Sequence, residues 1–168
     1  LDEAGQAYGI TDYGSFAMNV MRMEKAFKGA GELTNEVTLP EADVMRFVDI
    51  SKSFLGKDET LAKGDDLPWV CAYLEIEPDG VTDGHGGEAV LMDGQVVGST
   101  ASVVYGHSLG KILAFAYVKP HAAKDGQALE VVIAGEVRPA HIRGQAAYDP
   151  ESLLPRSDAT DTKGEMTA

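Results

Sequence analysis

One short motif in the sequence has the residue types of a catalytic centre. The pentapeptide Gly106-His-Ser-Leu-Gly110 fits the G-x-S-x-G pattern, in which a sharp strand-to-helix turn exposes a nucleophilic serine. A predicted strand, Ser99 to Val104, precedes the motif, and His121 and His141 follow it. Ser108 is therefore a candidate nucleophile for a serine hydrolase, provided that the surrounding elements form a parallel sheet.

The spacing of those elements argues against a hydrolase. The dipeptide Asp93-Gly94 favours a type I′ turn between strands predicted over Glu88 to Met92 and Gln95 to Val104. A parallel sheet instead needs crossover units of about 30 residues each, and a hairpin leaves no room for one. We therefore interpret residues 106–110 as a turn between strands, in which the glycines supply unusual backbone angles.

A second group of polar residues lies on a predicted amphipathic helix, Asp12 to Phe27. Met18, Arg22 and Lys25 project away from its apolar stripe. A solvated polar face is the interpretation that the sequence chemistry alone favours. In the alternative, Arg22 and Glu24 organise the edge of a pocket, where an arginine held by a carboxylate presents donors to a pterin or to a glutamate tail. The apolar stripe comprises Phe16, Val20, Met23 and Phe27.

Composition and motif spacing exclude several other classes of function. A net charge of −13 repels phosphate backbones, so we expect no nucleic-acid binding. No apolar run approaches the roughly 20 residues that span a bilayer, so we expect no membrane association. The four histidines lack metal-ligand spacing, and no G-x-G-x-x-G opens a dinucleotide-binding unit. Cys71 lies among apolar residues, which favours an inert core thiol.

The remaining pattern predicts a short strand over Val44 to Ile50 and a short helix over Lys57 to Ala62. From about residue 66 the apolar period changes to two, and five or six short strands with close turns indicate a small antiparallel barrel or sandwich. Residues 149–168 form a polar tail that we expect to be disordered. Beyond the hairpin, strands are predicted at Val70 to Ile76, Lys111 to Val118, Ala128 to Ile133 and Glu136 to Arg143.

Several short sequences, in order along the chain, resemble one family. They are Met21-Arg-Met-Glu24, Thr38-Leu-Pro40, Lys52-Ser-Phe-Leu-Gly56, Gly87-Glu88, Asp93-Gly94, Val97-Gly98 and Tyr148-Asp-Pro150. Their order and spacing resemble the closing part of the aminomethyltransferase (glycine-cleavage T-protein)-like region. The segment Ala17-Met-Asn-Val-Met-Arg-Met-Glu-Lys25 is more similar to the dimethylglycine and sarcosine dehydrogenase branch than to T-protein itself.

This resemblance implies an α+β fold, in which an N-terminal helical segment precedes a small antiparallel, Greek-key-like β-barrel. Residues 1–65 would complete a folate-binding domain, and residues 66–148 would form the barrel. Tetrahydrofolate is the implied cofactor, whereas FAD belongs only to the full-length relatives. The family's catalytic Asp lies upstream of residues that match here, so we expect no catalytic residue in this chain. The implied folate-binding residues are Arg22, Glu24, Tyr148, Met18 and Asn19.

Two hypotheses about function follow. In the first, the chain is the folate-handling C-terminal portion of a dimethylglycine or sarcosine dehydrogenase-like protein, inactive alone, with upstream flavin and aminomethyltransferase domains as partners. In the second, it is a non-catalytic docking module that associates through the apolar helix face of Phe16, Val20 and Phe27. The free thiol and the acidity favour a bacterial cytoplasm or a mitochondrial matrix.

Overall fold

The computed structural model describes residues 1–64, 66–79 and 84–157. Its main feature is a closed barrel of six antiparallel strands, in the order β1-β4-β3-β2-β5-β6. Strands β2, β3 and β4 follow one another through hairpins, and β1 lies beside β4, which is a Greek-key arrangement. The predicted antiparallel barrel is therefore confirmed. The strands are β1 (Val70–Ile76), β2 (Ala89–Met92), β3 (Gln95–Gly106), β4 (Lys111–Val118), β5 (Ala128–Ile133) and β6 (Glu136–Ile142).

Local turn chemistry closes the hairpins. Asp93 and Gly94 both have positive φ angles, 52° and 73°, as a type I′ turn between β2 and β3 requires. The turn between β3 and β4 is the Gly106–Gly110 motif, and Gly110 has a φ of 65°. Gly106 is needed for lack of space rather than for an unusual backbone angle. An added Cβ would lie 3.0 Å from Leu113 Cδ1. Strand β4, rather than a helix, follows Ser108 directly, so this site lacks the structure of a nucleophile elbow.

The barrel interior is filled by alternate residues of the strands. In β1 the inward residues Ala72, Leu74 and Ile76 all belong to this interior cluster, as the period-two pattern predicts. In β4 the inward residues alternate with Leu113 and Phe115, which are buried on the outer face. A strand that is buried on both faces is apolar throughout, and this explains the continuous run from Ile112 to Val118.

An N-terminal helix packs on the outer face of the barrel, mainly against β3 and β4. Residues 1–64 contain helices α1 (Asp2–Gly5), α2 (Ser15–Glu24) and α3 (Lys57–Ala62), with 3-10 turns at Gln6–Tyr8 and Met45–Phe47. Met23 of α2 is fully buried in a second apolar cluster on the outside of the barrel. Further 3-10 turns lie at Pro120–Ala122 and Leu154–Arg156.

Two predictions for this segment are wrong in part. The predicted strand over 44–50 is a 3-10 turn at Met45–Phe47, since a closed barrel offers no edge for it to pair with. Helix α2 ends at Glu24 instead of residue 27, because Ala26 adopts a left-handed φ of 53°. The N–H of Phe27 then bonds to the Arg22 carbonyl at 2.8 Å, as in a Schellman motif.

The predicted apolar stripe of α2 is buried only in part. Phe16 and Phe27 are 88% and 62% exposed, whereas Met23 is buried and Val20 packs at the edge of the second cluster. Of the predicted tail, residues 149–157 are described and include the Leu154–Arg156 turn. Residues 158–168 lie outside the described residues.

Candidate functional site

The polar residues at the end of α2 connect the helix to distant parts of the barrel. The Arg22 guanidinium donates hydrogen bonds to four acceptors. Its Nε donates to Asn19 Oδ1 at 2.7 Å. Nη1 donates to the Phe27 carbonyl at 3.0 Å and to Glu32 Oε2 at 2.9 Å. Nη2 donates to Ser102 Oγ of β3 at 3.2 Å. The side chain is thus committed to internal contacts and fixes the chain that follows α2.

Glu32 is the buried partner in this cluster. Its side chain is fully buried, and Oε2 also accepts the Gly29 N–H at 2.7 Å. Its carbonyl oxygen accepts the Tyr117 hydroxyl of β4 at 2.7 Å. Among the described residues, Glu32 Oε1 has no hydrogen-bond partner although it is buried. The Arg22–Glu32 pair therefore holds the segment after α2 against β3 and β4.

Glu24 is buried as well, with 4% exposure. Its Oε1 accepts the Ser108 N–H and its Oε2 accepts the Ser108 hydroxyl, both at 2.9 Å. Ser108 is therefore a donor to a structural carboxylate, and its hydroxyl proton points to Glu24 rather than to a histidine base. The His107 ring instead packs edge-on against Tyr105, with ring centroids 5.1 Å apart.

The chain after the barrel returns to the same helix end. The Tyr148 N–H donates to the Glu24 carbonyl at 3.0 Å. Lys25 Nζ donates to the Asp149 carbonyl at 2.5 Å and to Ser152 Oγ at 3.0 Å, and it pairs with Asp149 Oδ2 at 3.2 Å. Burial raises the pKa of the Asp149 carboxyl, but hydrogen bonds from Leu153 N–H and Lys25 lower it by more, so the net pKa lies below its usual value.

A cavity of about 420 Å³ opens beside this helix end. One wall is formed by the residues that follow α2, including Lys25 and Lys28. Apolar and aromatic residues of β1, together with Phe115 of β4, also line it. Arg143, Pro150 and Ser152 are further lining residues, so the returning chain completes the cavity.

The charge that lines the cavity is opposite in sign to the charge of the whole chain. The chain carries 27 acidic and 14 basic residues, yet the lining includes four cations and the two carboxylates Asp43 and Asp125. Lys28 pairs with Asp43 at 3.2 Å, and its Nζ lies 5.6 Å from the centroid of the Phe115 ring. The four cations are Lys25, Lys28, Arg46 and Arg143.

The cations differ in how far they are already neutralised. Arg143 Nη1 bonds to Glu75 Oε2 at 2.5 Å, while its Nε is buried without a partner among the described residues. Arg46 is exposed and stacks on the Phe47 ring at 4.7 Å. It forms no ion pair within the described part of the chain. A cavity lined by ammonium and guanidinium groups can bind a ligand with an anionic end.

Cys71 and two tyrosines lie beneath this surface. Burial raises the pKa of the Cys71 thiol to about 12, so the thiol is protonated at neutral pH and unreactive. Burial also raises the pKa of Tyr73, whose hydroxyl donates to the Met23 carbonyl at 2.8 Å. Burial likewise raises the pKa of Tyr117. These groups are structural donors and offer no acid or base to a ligand.

None of the five residues predicted to bind folate is among the residues that line the cavity. Asn19 and Arg22 share a hydrogen bond, and Glu24 and Tyr148 meet through main-chain atoms. Met18 lies apart from both pairs and is 55% exposed on α2. Glu32, Lys28 and Arg46 were not predicted, because no motif marks them. The one available signal was the density of cations between residues 22 and 28 in an acidic chain.

A closed Greek-key barrel with a helix fastened across its outer face defines a class of small accessory barrel domain. Residues 70–149 match the family model of the glycine cleavage T-protein C-terminal barrel domain. This part of the chain belongs to that family, and the predicted resemblance is confirmed. Within the part of the chain that the structure describes, no helix is long and apolar enough to cross a membrane.

Three relatives agree with this assignment. The chain is 41% identical to human (Homo sapiens) mitochondrial dimethylglycine dehydrogenase over 83% of its length, but it covers only 16% of that protein. It is 29% identical to a probable aminomethyltransferase of Thermococcus kodakarensis, over 89% of the chain and 40% of the relative. The crystal structure of aminomethyltransferase T of the Bartonella henselae glycine cleavage system has the same fold. It aligns with a TM-score of 0.70 at 17% identity over 80% of this chain and 38% of that one.

Proposed function

We propose that this chain is the folate-handling C-terminal portion of a dimethylglycine or sarcosine dehydrogenase-like protein. In the whole protein an N-methyl amine is oxidised and its one-carbon unit passes to tetrahydrofolate. The upstream flavin and aminomethyltransferase domains carry the oxidation and the acid–base group, and FAD does not bind to this segment. The names of the relatives support this class of reaction, and the compartment is a mitochondrial matrix or a bacterial cytoplasm.

The observation that carries the proposal is the cationic cavity beside α2. A folate combines flat aromatic rings with the carboxylates of its glutamate. In the cavity lining, Lys28 and Arg46 suit a carboxylate. Tyr73 and Phe115 support the lining from beneath, since they are only 6% and 1% exposed. Charge-assisted hydrogen bonds of this kind are stronger than neutral ones, and partial burial reduces their screening by salt.

The residues of α2 have distinct roles in this proposal. Arg22 and Glu24 hold the helix end against β3 and the β3–β4 turn through side-chain hydrogen bonds. Asn19 orients the Arg22 guanidinium, and Met18 and Tyr148 present exposed side chains to the ligand or to the upstream domain. Holding folate beside the electrophile is a contribution of proximity and orientation. No residue of this chain transfers a proton in the reaction.

Calorimetric titration with 5-formyltetrahydrofolate tests the proposal. We expect binding that Arg46→Met weakens about tenfold, the equivalent of about 1.4 kcal/mol. Lys52→Met is the matched control, because Lys52 is an exposed lysine paired only with Asp49 across one turn. Arg22→Ala should weaken binding and also lower the melting temperature, since it removes internal contacts. A folded chain that gives no binding heat would contradict the proposal.

A second function, docking without catalysis, is favoured by the exposed aromatic residues of the N-terminal segment. Phe16 and Phe27 are joined there by Tyr13 and Phe47, which are 66% and 74% exposed. Several large apolar side chains exposed on one segment are a feature of interaction surfaces. Equilibrium sedimentation distinguishes this function, since a strict monomer at high concentration would count against self-association.

A further inference from the structure

The contacts of Lys25 have a consequence for the cavity. Lys25 is the first residue after α2, and an ammonium group has three donors. Its three acceptors are the Asp149 carbonyl, Asp149 Oδ2 and Ser152 Oγ. All of them belong to residues 148–152, a segment that we call the strap. The ammonium group of Lys25 is therefore saturated by the strap and has no donor left for a ligand.

The strap is a wall of the cavity and is held in an unusual conformation. Pro150 and Ser152 line the cavity together with Lys25. Asp149 and Ser152 have positive φ angles of 42° and 53°, which residues other than glycine rarely adopt. Such backbone angles persist only where surrounding contacts impose them. The contacts include the three bonds to Lys25, the Tyr148 N–H to the Glu24 carbonyl, the Ser152 N–H to the Asp149 carbonyl at 2.9 Å, and Asp149 Oδ1 accepting the Leu153 N–H at 2.8 Å.

We propose that Lys25 is a positioning residue, which ties the strap to the end of α2 and thereby sets the shape of the cavity. The charge that meets an anionic ligand comes from Lys28 and Arg46 instead. The ligand part of this inference rests on the proposed function, whereas the tether between Lys25 and the strap does not. Loss of the ammonium group frees the strap, and the cavity then loses the wall against which its ligand packs.

Hydrogen exchange of the strap amides tests the tether without any ligand. In Lys25→Met we expect the Tyr148 and Leu153 amides to exchange about tenfold faster, because the strap opens more often. Lys25→Arg should restore slow exchange, since it keeps several donors, and Lys52→Met should leave the rates unchanged. Unchanged exchange in Lys25→Met would overturn the inference. If that variant does not fold, Ser152→Ala removes a single acceptor, and a smaller acceleration of about threefold is expected.

A double-mutant cycle separates positioning from direct contact with the ligand. Affinity for 5-formyltetrahydrofolate should fall about fivefold in Lys25→Met and should recover in Lys25→Arg. In an Asp149→Asn, Ser152→Ala background, the same Lys25→Met change should have at most half of that effect, because the charged partner and the Ser152 acceptor are already absent and the Asp149 carbonyl is the main acceptor left. Fully additive losses would mean that Lys25 contacts the ligand and would overturn the inference.

The two arms also distinguish this inference from the proposed function. If the unmodified chain does not bind folate, the proposed function fails. Hydrogen exchange of the strap amides then still tests whether Lys25 holds the strap, independently of any ligand.

Discussion

Two leucines show how differently the barrel and the N-terminal segment are stabilised. Leu74 in β1 is fully buried in the barrel interior, whereas Leu55 before α3 is fully exposed. The barrel is held by apolar burial and by hydrogen bonding between every pair of neighbouring strands. The N-terminal segment is held mainly by polar tethers at the end of α2. A region of the first kind folds on its own contacts, and one of the second kind takes its conformation from the surface on which it lies.

The largest expected effect comes from that matched pair of leucines. Leu74→Ala should lower the free energy of unfolding by about 2–5 kcal/mol, because it removes apolar contacts and leaves a cavity. Leu55→Ala should change it by less than about 0.5 kcal/mol, since its side chain is already in water. Urea denaturation of both variants checks this. Similar losses at the two sites would show that Leu55 is buried in solution and would remove the contrast between the regions.

Loss of the contact between Glu24 of α2 and Ser108 of the barrel should have the next largest effect. Glu24→Ala removes the carboxylate that accepts two hydrogen bonds from Ser108, and hydrogen bonds to a charged group contribute about 1–3 kcal/mol. Glu36→Ala is the matched control, because the Glu36 side chain is exposed in the same segment. Urea denaturation again gives the measurement. A loss as small as that of the control would mean that the helix is held by Met23 and its apolar neighbours alone.

Cys71 lies at the contact between the two regions and gives a pH-dependent test. Its folded pKa, about 12, lies above the ordinary value of 9.0, so the folded state disfavours the thiolate. Stability from this group is complete below about pH 8 and is lost as the pH rises, because the unfolded thiol ionises first. At pH 10 we expect a loss of about 1.4 kcal/mol that Cys71→Ala does not show.

Urea denaturation of the unmodified chain and of Cys71→Ala, each at pH 8 and pH 10, gives the measurement. Comparing the losses of the two proteins separates the effect of the thiol from that of the tyrosines. Equal losses in both proteins would mean that the thiol is accessible to water in the folded state. The segment after α2, whose Glu41 carbonyl accepts the Cys71 N–H at 2.7 Å, would then lie less closely on β1 than the structure shows.

The same contrast explains what could be predicted from the sequence. Strands such as β4 and the Asp93-Gly94 turn were predictable, because apolar period and turn chemistry are local properties. The Met45–Phe47 turn was not, since its β-favouring residues have no free strand to pair with. The site contacts are long-range: Ser102 is 80 residues from Arg22, and Asp149 is 124 residues from Lys25. Only the closed barrel brings these residues together, so the sequence indicated their chemistry but not their partners.

The smallest effect on stability should come from the exposed aromatic face. Phe16→Ser and Phe27→Ser should each change the free energy of unfolding by no more than about 0.5 kcal/mol, because both rings are largely in water. If this face docks, the same variants should weaken any association seen by equilibrium sedimentation. Val137→Ser is the control, since Val137 is an exposed apolar residue on the barrel. Association that Val137→Ser weakens equally would assign the contact to general hydrophobicity. A stability loss above about 2 kcal/mol would instead mean that these rings already pack within the chain.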